Sequence, residues 1–219
     1  MHGVALQRWC ETTFPTCIRW HGEGIGSQPA NNRANGFAKR DREFRLGRLC
    51  ASRALQSFDV STFVAVAEDR SPVWPEGMVG SISHSNRSVW AAVSRKTEIL
   101  SIGIDTETTQ KVGSFDIRES IANDAEWNVL ASLNFDQATT LALVFSAKES
   151  FYKCWYPVTK QFFDFSQATV VEADSQQLIL ATDCSNPNFT TQPQRLSVRF
   201  LVRAGEVYTA TWMTSGEER

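Results

Sequence analysis

A chain of 219 residues, 42% apolar and 21% charged, has room for one large folded domain or two small ones, each with a real core. Its formal net charge of −2 argues against broad, sequence-independent nucleic-acid binding, while a local basic patch stays compatible with it. Five cysteines, an odd number with no C-x-x-C pair, argue against a disulfide framework or zinc site and for a reducing compartment. No leader pattern and no apolar run near the ~18 residues of a spanning helix occur, so a cytoplasmic protein without a transmembrane segment is expected.

Residues 1–36 read as irregular, with a Gly, Ser, Pro and Asn-rich loop from Gly22 to Gly36. A helix is predicted from Phe37 to Phe58, where Phe44, Gly47, Ala51, Ala54 and Phe58 form one apolar or small-residue stripe. Arg45, Arg48 and Ser52 share another face of it. Thr62–Ala67 reads as a strand, followed by the turn-rich Asp69-Arg70-Ser71-Pro72-Val73-Trp74-Pro75. His84 follows Gly80, Ser81 and Ser83 in what reads as a loop, before strands at Ser88–Ser94 and Ile99–Ile104. A helix within 116–133, capped by Asn123 or Asp124, precedes a longer one from Thr139 to Tyr156, stopped by Pro157. Strands at Ala168–Glu172, Leu178–Thr182, Leu196–Val202 and Val207–Met213 complete the chain. Helix-then-strands thus occurs twice, which predicts an α+β fold of two lobes joined near residue 106.

Asp105 and Glu107 stand at i and i+2 of a strand end and can share a face; Glu149 and Lys153 stand at i and i+4 of the long helix and do share one. Taken singly, the first pair also fits a turn or cap, and the second an exposed salt bridge. Phe145, Ala147, Phe151, Tyr152 and Trp155 around Glu149 argue for a largely buried helix, where charges need partners or a metal. If the two segments meet, carboxylates beside a lysine suit Mg²⁺ and a phosphate ester. Short hydroxyls, backbone N–H groups and the imidazole around Ser83-His84 suit a phosphate cradle, although a lone histidine is more often structural. The arginines of the first long helix, Arg40, Arg45, Arg48 and Arg53, fit either a solvated face or a phosphate grip. No nucleophile elbow, P-loop or dinucleotide fingerprint is present.

Five motifs in order carry a resemblance. They are Lys39-Arg40-x-x-Glu43-Phe44-x-x-Gly47-Arg48, Arg70-x-Pro72-Val73-Trp74-Pro75, Gly80-Ser81-Ile82-Ser83-His84, Gly103-Ile104-Asp105-x-Glu107, and Phe145-Ser146-Ala147-Lys148-Glu149-Ser150-x-x-Lys153 with its tail Tyr156-Pro157-x-Thr159-Lys160. Over residues 38–165 the chain resembles the 4′-phosphopantetheinyl transferases, and among them the pseudo-dimeric, enterobactin-synthase type. The resemblance implies two similar α+β lobes related by a pseudo-twofold axis, divided as 1–106 and 107–219, with the active site at their interface. It implies transfer of the 4′-phosphopantetheine arm of coenzyme A to a serine of an apo acyl or peptidyl carrier protein. Asp105, Glu107 and Glu149 would be metal ligands for Mg²⁺, with Mn²⁺ as an alternative, and Glu149 and Lys153 catalytic. Arg40, Arg48, Arg70, Ser83, His84, Asp105 and Lys153 would bind coenzyme A, with Lys148 and Lys160 as lesser candidates. Val64–Ala67 lacks a basic residue that some relatives carry before the Trp-Pro motif, for which Arg70 is the candidate substitute. A monomer suffices, no nucleic acid is involved, and residues 108–135 are a candidate carrier-docking segment. A metal-dependent phosphohydrolase using the same carboxylates and a non-catalytic coenzyme A binder are the competing readings. Grips on a nucleotide phosphate disfavour the first and the intact carboxylate set the second.

Overall fold

The computed structural model describes residues 2–25, 35–112, 117–162, 164–184 and 194–215. In chain order these form α1 (His2–Thr13), β1 (Arg19–Gly24), α2 (Asn35–Gln56), β2 (Ala65–Val66), β3 (Pro72–Val73), β4 (Met78–His84), β5 (Ser88–Arg95) and β6 (Ile99–Thr108). There follow α3 (Thr109–Val112), α4 (Arg118–Ile121), α5 (Asp124–Leu130), α6 (Gln137–Thr159), β7 (Thr169–Ala173), β8 (Gln177–Thr182), β9 (Gln194–Arg203) and β10 (Glu206–Thr214). The α+β expectation holds. A three-stranded antiparallel sheet, β1-β5-β4, carries α2, and a five-stranded one, β6-β10-β9-β8-β7, carries α6. The apolar stripe of α2 (Cys50, Ala51, Ala54, Leu55) packs on Val89, Ala91 and Val93 of β5. Ala147, Phe151, Cys154 and Trp155 of α6 share a second core with Val198 and Val207. The expected division at residue 106 falls inside β6, which runs on to Thr108 and pairs with β10 along its length.

The two sheets meet edge to edge. β4 ends one and β6 ends the other, so each offers unpaired backbone groups. Serines make the joint: Ile104 N–H donates to Ser81 Oγ and Thr106 N–H to Ser83 Oγ, each at 3.1 Å. The Ser-Ile-Ser segment, read above as a loop, is therefore a strand whose small polar residues face its neighbour.

The N-terminal segment also differs from expectation. Leu6, Cys10 and Phe14 recur at four-residue spacing and bury a helical stripe against Trp90, Ile102, Ile104, Tyr208 and Ala210, residues drawn from both sheets. β1 is a strand despite its glycines because Gly22 opposes Trp90, and a Cβ there would stand 3.1 Å from the Trp90 Cβ. Residues 26–34 of the expected loop lie outside the described residues. The strand expected over Thr62–Ala67 shortens to Ala65–Val66. Asn123 caps α5 through a reciprocal box with Glu126. α6 runs through Pro157, since a proline in the last turn removes only one helix bond, and ends where Lys160 turns left-handed with φ 55°. No described helix is long and apolar enough to cross a membrane.

Candidate active site

α6 touches β6 at Gly103, where a Cβ would fall 1.8 Å from the Ser150 carbonyl oxygen and 2.7 Å from the Cys154 nitrogen. No other residue type admits this approach. It brings the face of β6 that carries Gly103, Asp105 and Glu107 against α6. Lys153 Nζ donates to Asp105 Oδ1 at 2.5 Å, and Ser83 Oγ donates to the same oxygen at 3.0 Å. Strand β4, strand β6 and helix α6 thus converge on one carboxylate.

Burial alone would lower the Lys153 pKa, but Asp105, Glu149 and Glu107 together hold it above its ordinary value. All three carboxylates of the sequence constellation therefore act on one ammonium. A lysine kept firmly charged serves as a fixed positive point rather than as a base. Asp105 and Glu107 are buried, and Glu149 is half-buried one turn before Lys153.

The donor set suits a hard divalent cation. Asp105 Oδ2 is buried with no hydrogen-bond partner, so one carboxylate oxygen is already desolvated and uncommitted. Among the described residues no three His, Cys, Asp or Glu side chains converge as a ready-made cage. Mg²⁺ does not require one, because it takes one or two carboxylates and completes its shell with water and substrate phosphates. The residues fit it.

Beside this centre a cleft of about 670 Å³ opens between β4, the β2–β3 turn and the C-terminal half of α6. It is lined by three cations, Arg70, Lys153 and Lys160, by the hydroxyls of Ser71, Ser81 and Ser101, and by an aromatic wall that includes Trp74, Tyr152 and Phe162. Arg70 takes a left-handed backbone, φ 69°, on a turn that Asp69 builds by accepting from the Ser71 N–H and hydroxyl. The Tyr156 hydroxyl donates to the other Asp69 oxygen at 3.1 Å and ties that turn to α6. The Ser71 bonds, then the Tyr156 bond and Lys160, hold the Asp69 carboxyl below the usual range. Cations over an aromatic wall suit a phosphate-bearing ligand with an extended, largely neutral arm.

Ser83 is buried and His84 is half-exposed at the end of β4. Its Nδ1 lies 3.7 Å from Glu43 Oε2, and Lys39 Nζ lies 3.6 Å from the other Glu43 oxygen. Buried Glu43, which carries no role from its motif position alone, thus lies between the Lys39 ammonium and the His84 imidazole at the start of α2, where Arg40 is exposed. Arg48 does not lie on a solvated face. It is 5% exposed, its guanidinium carbon 4.9 Å from the Phe44 ring centroid, and its Nε is buried without a hydrogen-bond partner. Burial lowers its pKa, yet an arginine remains charged.

Lys148 is not available to a phosphate. Its Nζ donates to Glu126 Oε1, the Ile121 carbonyl and the Phe165 carbonyl at 2.7–2.8 Å, and both ends of the ion pair are buried. Its place one residue before Glu149 turns it to the other side of α6, into the core. Tyr156 and Asp69 are contributors to which motif spacing assigns no role; Tyr156 and Lys160, one helical turn apart, are the signal for the first.

Two family models match the chain: the 4′-phosphopantetheinyl transferase N-terminal domain over residues 28–94, and the 4′-phosphopantetheinyl transferase superfamily over residues 101–211. The chain belongs to the 4′-phosphopantetheinyl transferase superfamily. It is 34% identical over 192 residues to the 4′-phosphopantetheinyl transferase PptT of Mycobacterium tuberculosis, covering 81% of each chain. To the transferase Npt of Nocardia iowensis it is 34% identical over 155 residues, 68% of this chain and 67% of that one. To enterobactin synthase component D of Escherichia coli strain K12 it is 35% identical over 144 residues, 65% of this chain and 66% of that one. Phosphopantetheinyl transfer to carrier proteins, with coenzyme A as donor, is the activity this membership gives it.

Proposed function

We propose that the Asp105–Lys153 centre transfers the 4′-phosphopantetheine arm of coenzyme A to a serine of an apo acyl or peptidyl carrier protein in a Mg²⁺-dependent reaction, releasing adenosine 3′,5′-bisphosphate. The observation that carries this reading is the Lys153 ammonium, 2.5 Å from Asp105 Oδ1 at the edge of a cation-lined cleft. Asp105, Glu107 and Glu149 are the candidate ligands of Mg²⁺, or Mn²⁺ in its place, one or two of them directly and the rest through water; when bound, the ion would neutralise charge on the pyrophosphate.

Lys153 neutralises charge on the bridging oxygen as it leaves, a role for which permanent protonation is required. Glu149, half-buried and on the same helix face, takes the proton of the carrier serine directly or through a water. Arg70 grips phosphate at the cleft mouth, with Lys160 beside it. Ser83 and His84 at the end of β4, with Arg40 and Arg48 of α2, hold the remaining phosphates; the uncommitted Arg48 Nε supports its part. The carriers served belong to siderophore, other nonribosomal peptide, polyketide or fatty-acid synthesis. With both sheets and their helices in one chain, a monomer is sufficient, and it works in the cytoplasm. The carrier docks on the outer side of 117–135, where exposed Arg118 lies over the Trp127 ring at 4.6 Å.

A pair of substitutions tests the division of labour. Asp105→Asn is expected to raise the Mg²⁺ concentration for half-maximal rate by about tenfold or more. Glu149→Gln is expected to lower kcat by about 10²–10⁴-fold while coenzyme A affinity, measured by calorimetry, stays within about threefold. If both variants lost only coenzyme A affinity, the division would be wrong.

A further inference from the structure

The reaction described above uses no residue of β10, yet β10 begins with a fully buried carboxylate, Glu206. Its Oε1 accepts from the Ser85 hydroxyl at 2.7 Å and the Ser88 hydroxyl at 3.1 Å, and its Oε2 accepts from the Tyr208 hydroxyl at 2.8 Å. Ser85 and Ser88 bracket the β4–β5 turn of the other sheet. Inside that turn Ser85 Oγ also accepts from the Arg87 and Ser88 N–H groups. Arg87 in turn donates to the Ala204 carbonyl, in the tight connection between β9 and β10. A second joint between the sheets therefore stands beside the serine joint of β4 and β6, and its centre is a charge. A buried carboxylate is costly unless its oxygens are satisfied, and hydroxyls from both sheets satisfy this one.

The joint lies between the phosphate-binding end of β4 and the carboxylates proposed to hold the metal. His84 immediately precedes Ser85 on one side. On the other, Glu206 pairs with Thr108 and Val207 with Glu107, next to the carboxylate strand. We propose that Glu206 is a positioning residue. Its carboxylate pins the Ser85–Ser88 turn to β10 and so sets His84, which contacts phosphate, in register with Asp105 and Glu107, the candidate metal ligands of the other sheet. This rests on the reading of His84 as a phosphate ligand given under the proposed function. A hydroxyl-lined, fully buried glutamate is a stronger anchor than a neutral amide, because both carboxylate oxygens accept charge-assisted bonds whereas Gln makes one end a donor that the facing hydroxyl must turn to accept. The turn should then loosen while the apolar packing around it, Tyr208 and Trp90 in one core and Val207 in another, stays in place.

The test is a set of kinetic cycles on the full chain with coenzyme A and an apo carrier protein. Glu206→Gln is expected to raise the KM for coenzyme A by about tenfold with kcat within about threefold. In a His84→Ala background it should raise KM by less than about twofold, because the residue it positions is gone. In a background of Arg70→Ala, which lies in the cleft that His84 does not line, the full factor should return. A merely structural role would make the factor the same in all three backgrounds, and that result overturns the proposal, as does an unchanged KM. If Glu206→Gln does not fold, Ser85→Ala, which removes the shortest bond, decides the matter in the same cycles. If His84→Ala alone leaves the KM for coenzyme A unchanged, the phosphate role of His84 fails and the positioning role fails with it. Equal factors in a background set where His84→Ala does raise KM overturn the positioning role alone.

Discussion

Lys148→Met is expected to destabilise the protein by about 3–5 kcal/mol in chemical denaturation, without a specific loss of coenzyme A affinity in the folded fraction. The reason is geometric. The lysine is fully buried, and its three donors are spent on Glu126 and the carbonyls of Ile121 and Phe165. Burial pulls its pKa down, and Glu126 and then Asp164 oppose that pull. Removing the ammonium leaves the Glu126 carboxylate buried beside two orphaned carbonyls. Among the described residues, Glu126 then keeps the N–H groups of Asn123 and Val170. The same ion pair ties the α4–α5 segment and the turn at Phe165 to α6, so its loss should also free the side of the molecule proposed for carrier docking. A Lys148→Met, Glu126→Leu double variant should recover part of the loss, because a buried pair exchanged for apolar groups is often near neutral. A coenzyme A affinity that fell while stability held would return Lys148 to the phosphate site.

Gly103→Ala should cost about 3 kcal/mol or more and abolish transfer at temperatures where the protein remains folded. The added methyl would meet the backbone of Ser150 at 1.8 Å, and backbone in mid-helix cannot rotate away as a side-chain tip does. The helix must lift from β6 by an ångström or more. Lys153 and Asp105, joined at 2.5 Å across that contact, then separate. Thermal melting would register the first effect and carrier modification the second. A variant of wild-type stability and activity would mean that α6 does not seat on β6 as described.

The elements most readily legible in the sequence are those with uninterrupted apolar periodicity. α6, β5 and the four strands after residue 168 lie close to where their patterns place them. α1 escapes, because polar neighbours dilute the stripe of Leu6, Cys10 and Phe14. β4 escapes because its inward residues are serines, which carry hydrogen bonds to an edge strand rather than apolar area. Spacing places Asp105 with Glu107 and Glu149 with Lys153, and the structure joins the two sets through the Lys153 ammonium. Spacing within a motif does not separate Lys148 from Lys153, since five residues on a helix turn one lysine into the core and the other toward the carboxylates. Nor does it tell a buried Arg48 from a solvated one, because what buries it, Phe44 among others, is a tertiary matter. Glu206 is 57 residues from Glu149 in sequence and lies in no motif, so only the fold brings it to the turn beside His84.

The most direct test of the central claim is the intact mass of an apo carrier protein after incubation with this protein and coenzyme A. The account predicts a gain of one phosphopantetheine arm per carrier with Mg²⁺ present, lost on chelation and lost with Glu149→Gln. No gain on peptidyl and acyl carriers alike, or an equal gain after chelation or with Glu149→Gln, would contradict it.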